Sequence, residues 1–148
     1  MSETTPARPK TLMRPTQTTK FHIDFNWWDR ADRELDVYLR SHLCPEHQQV
    51  YSDMEGDVMV DTVHPETAEV TRVLGIQHTL RTHCAMQDDY LTPQTTLVNA
   101  VFRVFLANGN TPLSPEELGA KLVRPAQMIL RTLSSQRVYK GIRPFFED

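Results

Sequence analysis

The stretch "HLCPEHQ" spaces Cys44 and His47 as C-x2-H, and "RTHC" sets His83 beside Cys84. Thiolate sulfur and imidazole nitrogen are the ligands of tetrahedral zinc, so these four residues form the candidate metal set. The first pair has a metal-site spacing. The second lacks it if the pair lies on a helix, where neighbouring side chains point about 100° apart. Spacing therefore favours no metal and no cofactor: Cys84 packs as a small hydrophobe and the histidines lie at the surface. A Cys84–His pair could also be drawn as nucleophile and base. No Gly-rich elbow, oxyanion-hole signal or orienting motif surrounds it. Asp24, Asp29, Asp53, Asp57 and Asp61 lack the spacing of a calcium loop, and the five glycines include no phosphate-binding loop. The expectation is a protein that is not an enzyme.

A second set could read nucleic acid. Arg124, Gln127 and Arg131 fall on one short segment, followed by Arg137, Lys140 and Arg143. Arginine and glutamine make bidentate contacts to guanine and adenine edges, and cations meet phosphates. Met128, Thr132 and Ser135 would share that face. The charge distribution agrees with this placement. Residues 1–90 hold nine Lys/Arg against fifteen Asp/Glu, a net of −6; residues 91–148 hold seven against four, a net of +3. An acidic part beside a basic one suggests two working surfaces.

The elements that must position these groups are legible in outline. Residues 1–19 are rich in Thr and Pro and poor in large apolar groups, and are expected to be a disordered tail. "KFHIDF" alternates like a short strand. Asn26 could cap a helix over "WWDRADRELDVYLRSHL", which carries i,i+4 pairs Asp29–Arg33 and Asp36–Arg40. Pro45 suits a first helical position. "DVMVDTVHPETAEVTRV" reads as a β-hairpin around "HPETA", and "LGIQHTLRTHCAMQ" as a helix. Residues 20–90 then form an acidic α+β lobe of no recognised family.

Residues 91–148 are the clearest. "LVNAVFRVFLANGN" is an apolar helix stopped at Asn108-Gly109. Ser114 as N-cap, Pro115 at N1, Glu117 at N3, and Leu113 with Leu118 as a staple agree on one helix start. Pro125 opens the next helix, and "RVYKGIRPF" is extended. Leu97, Val98, Val101, Phe102, Val104, Phe105 and Leu106 cover more than one face of the first helix. Such a helix must be covered on several sides, by segment 21–87, by a second copy or by a partner. Trp27 and Trp28 are adjacent and cannot both face one core. With Phe102 they are the candidate interface residues, since aromatics are enriched at binding hot spots.

Over residues 94–146, "TLVNAVFRVFLANGNTPLSPEELGAKL" with "RPAQMILRTLSSQRVYKGIRPF" resembles the winged helix-turn-helix superfamily. It is most similar to the winged helix at the start of the RNA polymerase delta subunit. The resemblance implies a C-terminal winged helix; with the hairpin read above, the expected fold is mostly helical α+β with a β-hairpin and a C-terminal winged helix. It also implies DNA contact through helix 125–134 and the wing, or docking on a protein such as RNA polymerase. The expected protein is a bacterial, cytoplasmic, transcription-associated DNA binder, or else a non-enzymatic adaptor that could self-associate as a homodimer. No apolar run is long enough for a membrane span, and the N-terminus lacks a signal-peptide core.

Overall fold

The computed structural model of the chain describes residues 14–30, 35–51, 59–64 and 66–146. In chain order it contains β1 (Phe21–Ile23), α1 (Phe25–Arg30), α2 (Leu35–Arg40), α3 (Pro45–Tyr51), β2 (Met59–Val63) and β3 (Val70–Leu74). Then come α4 (Gly75–Thr82), a 3-10 turn (Cys84–Met86), α5 (Leu97–Ala107), α6 (Pro115–Leu122), α7 (Ala126–Leu133) and β4 (Ile142–Pro144). The fold is α+β and mostly helical, with β2 and β3 forming the expected antiparallel hairpin. No helix among the described residues is long and apolar enough to cross a membrane.

Local chemistry explains most starts and stops. Ser114 Oγ accepts from the Glu117 amide at 3.2 Å, and Glu117 Oε1 accepts from the Ser114 amide at 3.0 Å, completing the capping box. Lys20 Nζ sits 2.8 Å from the same Glu117 Oε1. Glu117's carboxyl is held below its usual range by that bond from Lys20 and by the Ser114 amide. α1 starts two residues earlier than an Asn26 cap would set it: Asp24 Oδ1 accepts from the Asn26 amide at 3.0 Å and is the capping group. Asp36 and Arg40 form the expected i,i+4 pair at 2.9 Å.

The two parts of the chain share one core. Phe21, Ile23, Trp28, Leu39 and Leu43 pack in one cluster with Val101, Phe102, Phe105, Leu118, Ile129 and Ile142. This is the internal cover that the apolar α5 requires. β1 lies between two C-terminal segments. Along one edge Phe21 pairs with Pro144 and Ile23 with Ile142. Along the other, Phe21 exchanges backbone hydrogen bonds of 2.8 and 3.0 Å with Leu113. Asn110 caps that edge with its side chain, 2.8 Å to the Ile23 amide and 2.9 Å to the Ile23 carbonyl. The extended tail after α7 therefore makes one strand, β4, whose partner comes from the far end of the chain. A division into lobes at residue 90 does not describe this sheet. Within the segment expected as a tail, the Gln17 carbonyl accepts from the Glu116 amide at 3.2 Å; residues 1–13 lie outside the described residues.

The turn between α6 and α7 is tight. Val123 adopts φ 55 at the end of α6. A Cβ on Gly119 would meet the Arg124 carbonyl oxygen at 2.7 Å and the Ala126 nitrogen at 3.4 Å. Alanine in place of an interior helical glycine normally adds about 0.5–1 kcal/mol. Gly119→Ala is expected to do the opposite, because backbone atoms cannot swing aside as a side chain would. Forcing α7 away should lower stability by about 1–3 kcal/mol. Chemical denaturation measures it; a rise in stability would contradict this packing.

Candidate nucleic-acid face and a thiol–imidazole cluster

α7 buries Ile129 and Leu133 and turns Gln127, Met128 and Arg131 outward. Met128 is 39% exposed. Arg137 is exposed and rests over its neighbour Tyr139, 5.2 Å from the ring centroid. The other three cations expected on DNA are committed to the protein itself. Arg124 donates to the Thr95 carbonyl, fixing the turn onto the start of α5. Lys140 Nζ lies 4.6 Å from the centre of the Tyr38 ring. Arg143 Nη1 is 3.5 Å from Asp24 Oδ2. Lys140 and Arg143 join the C-terminal unit to the rest, and the face that remains is Gln127, Arg131 and Arg137.

Two of the three expected interface aromatics are core residues. Trp28 is 4% exposed and Phe102 is fully buried. Trp28 Nε1 donates to the Lys140 carbonyl at 3.2 Å, and its ring stacks on Tyr38 at 5.3 Å. Gly141, at φ 77, makes room for it: a Cβ there would lie 2.9 Å from Trp28 Nε1. Adjacent tryptophans still divide as expected, because Trp27 is only half-buried. It lines a cleft of about 550 Å³ with Val37, Tyr38, Arg137, Tyr139 and Lys140.

The metal candidates come together. Cys44 precedes α3 and His47 lies in its first turn, with Cys44 Sγ 3.3 Å from His47 Nδ1. Cys84 Sγ is 3.4 Å from Cys44 Sγ and 3.8 Å from His47 Nδ1. The Cys44 amide donates to Cys84 Sγ at 3.3 Å. His83 stacks edge-on against His47, with ring centroids 4.3 Å apart. Ligand atoms of Cys44, His47, His83 and Glu46 all lie within 4.8 Å of one another. The objection from helical spacing does not hold, because α4 stops at Thr82. His83, at φ −127 and ψ −60, leaves the helix before the 3-10 turn begins at Cys84. The chain bend lets both adjacent side chains face the same cluster. Of the two histidines expected at the surface, His47 is half-buried and His83 keeps 41% of its side chain exposed. Cys84 is buried as expected. Glu46 was missed; its place inside the C-x2-H loop was the available signal.

As a nucleophile Cys84 is poorly placed. Burial pushes its thiol up to about 11, and a protonated thiol is a weak nucleophile near neutrality. Beside the cluster a second polar group is buried. His42 Nδ1 accepts from Arg103 Nε at 2.9 Å, and Arg103 also donates to the Tyr90 carbonyl at 2.6 Å. Tyr90 returns a bond from its hydroxyl to the Arg103 carbonyl at 2.7 Å. Nothing in the sequence pattern marked this exchange, since its members are remote in the chain.

No protein family, curated protein or solved structure matches the chain.

Proposed function

We propose that the chain is a non-enzymatic, transcription-associated DNA-binding protein that lays α7 in a groove, in the cytoplasm of a bacterial cell. The observation that carries this reading is the outer face of α7. Gln127 and Arg131 stand outward on a short helix whose other side is anchored in the core by Ile129 and Leu133. Helices so presented after a tight turn are the usual readers of base edges. Two unbonded thiols, Cys44 and Cys84, fit a reducing compartment. Arg131 would read a purine edge, Gln127 an adenine, and Arg137 would meet a phosphate.

The narrowing of the face sets the magnitude. Five cations would give a salt slope, log K against log salt, of about −4.5, whereas Arg131 and Arg137 alone give about −2. Anisotropy titrations on mixed duplex DNA should therefore show weak binding with a shallow slope. Arg131→Ala is expected to cost about 1–3 kcal/mol of binding and to flatten the slope by about 1. Arg72→Ala, on the exposed hairpin strand β3, should change neither. Absence of binding at low salt would end the DNA reading.

A second reading has its own observation. The cleft beside Trp27 is partly apolar, and Val37 on its rim is 56% exposed. An adaptor would seat a segment of a protein partner there, such as a part of RNA polymerase, or a second copy of the chain. Trp27→Ala separates the two readings: it removes protein capture in the adaptor and leaves DNA affinity intact in the DNA binder.

A further inference from the structure

We propose that Cys44, His47, His83 and Cys84 bind one structural zinc ion that ties the start of α3 to the end of α4. Zinc bonds of about 2.3 Å to sulfur and about 2.0–2.1 Å to nitrogen make a tetrahedron with edges of roughly 3.3–3.8 Å. The three edges among Cys44 Sγ, Cys84 Sγ and His47 Nδ1 are 3.4, 3.3 and 3.8 Å. Three corners of a zinc tetrahedron thus stand at ligand spacing. The fourth corner is His83. Its Nε2 is buried without a hydrogen-bond partner. It lies 3.4 Å from Glu46 Oε2, and one of the two His83 ring nitrogens lies within 4.8 Å of Cys44 Sγ and of a His47 nitrogen. A buried imidazole nitrogen that makes no hydrogen bond, with the Glu46 carboxylate at ion-pair distance, thus belongs to the ring that stands beside the Cys44 thiol and the His47 imidazole.

The surroundings fit the same ion. The Cys44 amide aims at Cys84 Sγ, and backbone donors to sulfur stabilise a ligating thiolate. Glu46 stands on the rim beside His83, 74% exposed in its side chain. A cavity of about 140 Å³ reaches Cys44 and Cys84 and offers a path in. Two sulfurs and two imidazoles select zinc over magnesium or calcium, which prefer oxygen. On binding, each thiol releases its proton to solvent as its sulfur bonds the metal, so the ion displaces two protons.

The placement says what the ion does. The 3-10 turn and α4 pack against α5, whose partner helices carry the DNA face. Three protein ligands alone would leave the fourth position to water, the arrangement of a catalytic zinc. His83 closes that position, which makes the site structural.

The test uses the full chain without a tag, purified under argon without chelator. Elemental analysis is expected to find about one zinc per chain. Cobalt(II) in its place should give the intense d–d bands of a tetrahedral site and a sulfur-to-cobalt charge-transfer band. Cys84→Ser and His83→Ala should each lose stoichiometric zinc, while His64→Ala, on the exposed hairpin turn, keeps it. Should the cysteine variant fail to fold, chelator treatment of the native chain reads the same property: melting temperature falls and is restored by zinc. Metal-free protein whose melting temperature ignores added zinc overturns the proposal. A Cys44–Cys84 disulfide in the argon-purified chain overturns it equally, as does His83→Ala with full zinc content and an unchanged cobalt spectrum.

Discussion

Phe102→Ala is expected to remove about 3–5 kcal/mol of folding stability, a large share of the roughly 5–15 kcal/mol that holds an ordinary domain folded. The side chain projects from the middle of α5 and is fully buried. Its ring lies parallel to His42 at 5.3 Å, edge-on to Tyr38 at 4.8 Å, and edge-on to Trp28 at 6.3 Å. These neighbours cannot collapse into the space. Tyr38 is held by a 2.6 Å bond from its hydroxyl to Asn99 Oδ1, Trp28 by its bond to Lys140, and His42 by Arg103. A cavity that cannot relax puts the cost near the upper end. The melting temperature should fall by roughly 6–20 °C. The residue was also a candidate interface aromatic, and that role predicts the reverse pattern: stability kept and partner binding lost. A stability change below about 1 kcal/mol in denaturant titration would return Phe102 to the surface.

The parts of this fold that were legible in the sequence are those whose causes are local. A capping box is settled by residues three apart, so Ser114 and Glu117 announced α6 correctly. The hairpin turn needs six residues, and His64 closes it with bonds to Glu69 and Ala68. The illegible parts depend on distant segments. Nothing in "FHI" specifies that its two edges will be taken by Leu113 and by Ile142–Pro144. A strand of that length pairs with whatever the core brings near. The same holds for the cations: Arg124, Lys140 and Arg143 look alike in sequence to Arg131 and Arg137, and only tertiary neighbours separate frame from face. The cluster failed for a different reason. The zinc spacing was visible, and it was discounted by extending α4 through Cys84. A helix that stops at Thr82 removes that objection from spacing, and helix ends are where sequence patterns are weakest.

Lowering the pH from neutral is expected to weaken the fold through His42, and His42→Gln should abolish that part of the loss. The imidazole is 3% exposed. Its Nδ1 accepts from Arg103, so the ring is neutral and carries its proton on Nε2, which is buried without a partner. Burial first, then the charges of Arg103 and Lys140, push its pKa down to about 3. The groups facing it from neighbouring elements are Tyr38 on α2, Arg103 on α5 and Lys140 before β4. None is an anion that would welcome the proton. In the unfolded chain the same imidazole titrates near 6.5. Above 6.5 neither state is protonated and the full stability is present. Between 6.5 and 3 the unfolded chain binds a proton that the folded chain refuses, so stability falls as pH falls, by up to about 1.4 kcal/mol per unit. By pH 4 the loss reaches about 3 kcal/mol. Glutamine keeps an acceptor for Arg103 and carries no titrating proton. His22, lowered mainly by burial, and the Cys44–His47 cluster are common to both chains and cancel in the difference. Urea unfolding at pH 7, 5.5 and 4 should therefore show wild-type and His42→Gln curves converging as the pH drops, the variant starting lower and losing less. Parallel curves would mean that the folded protein accommodates a charged His42, and that the Arg103 contact gives way before the fold does.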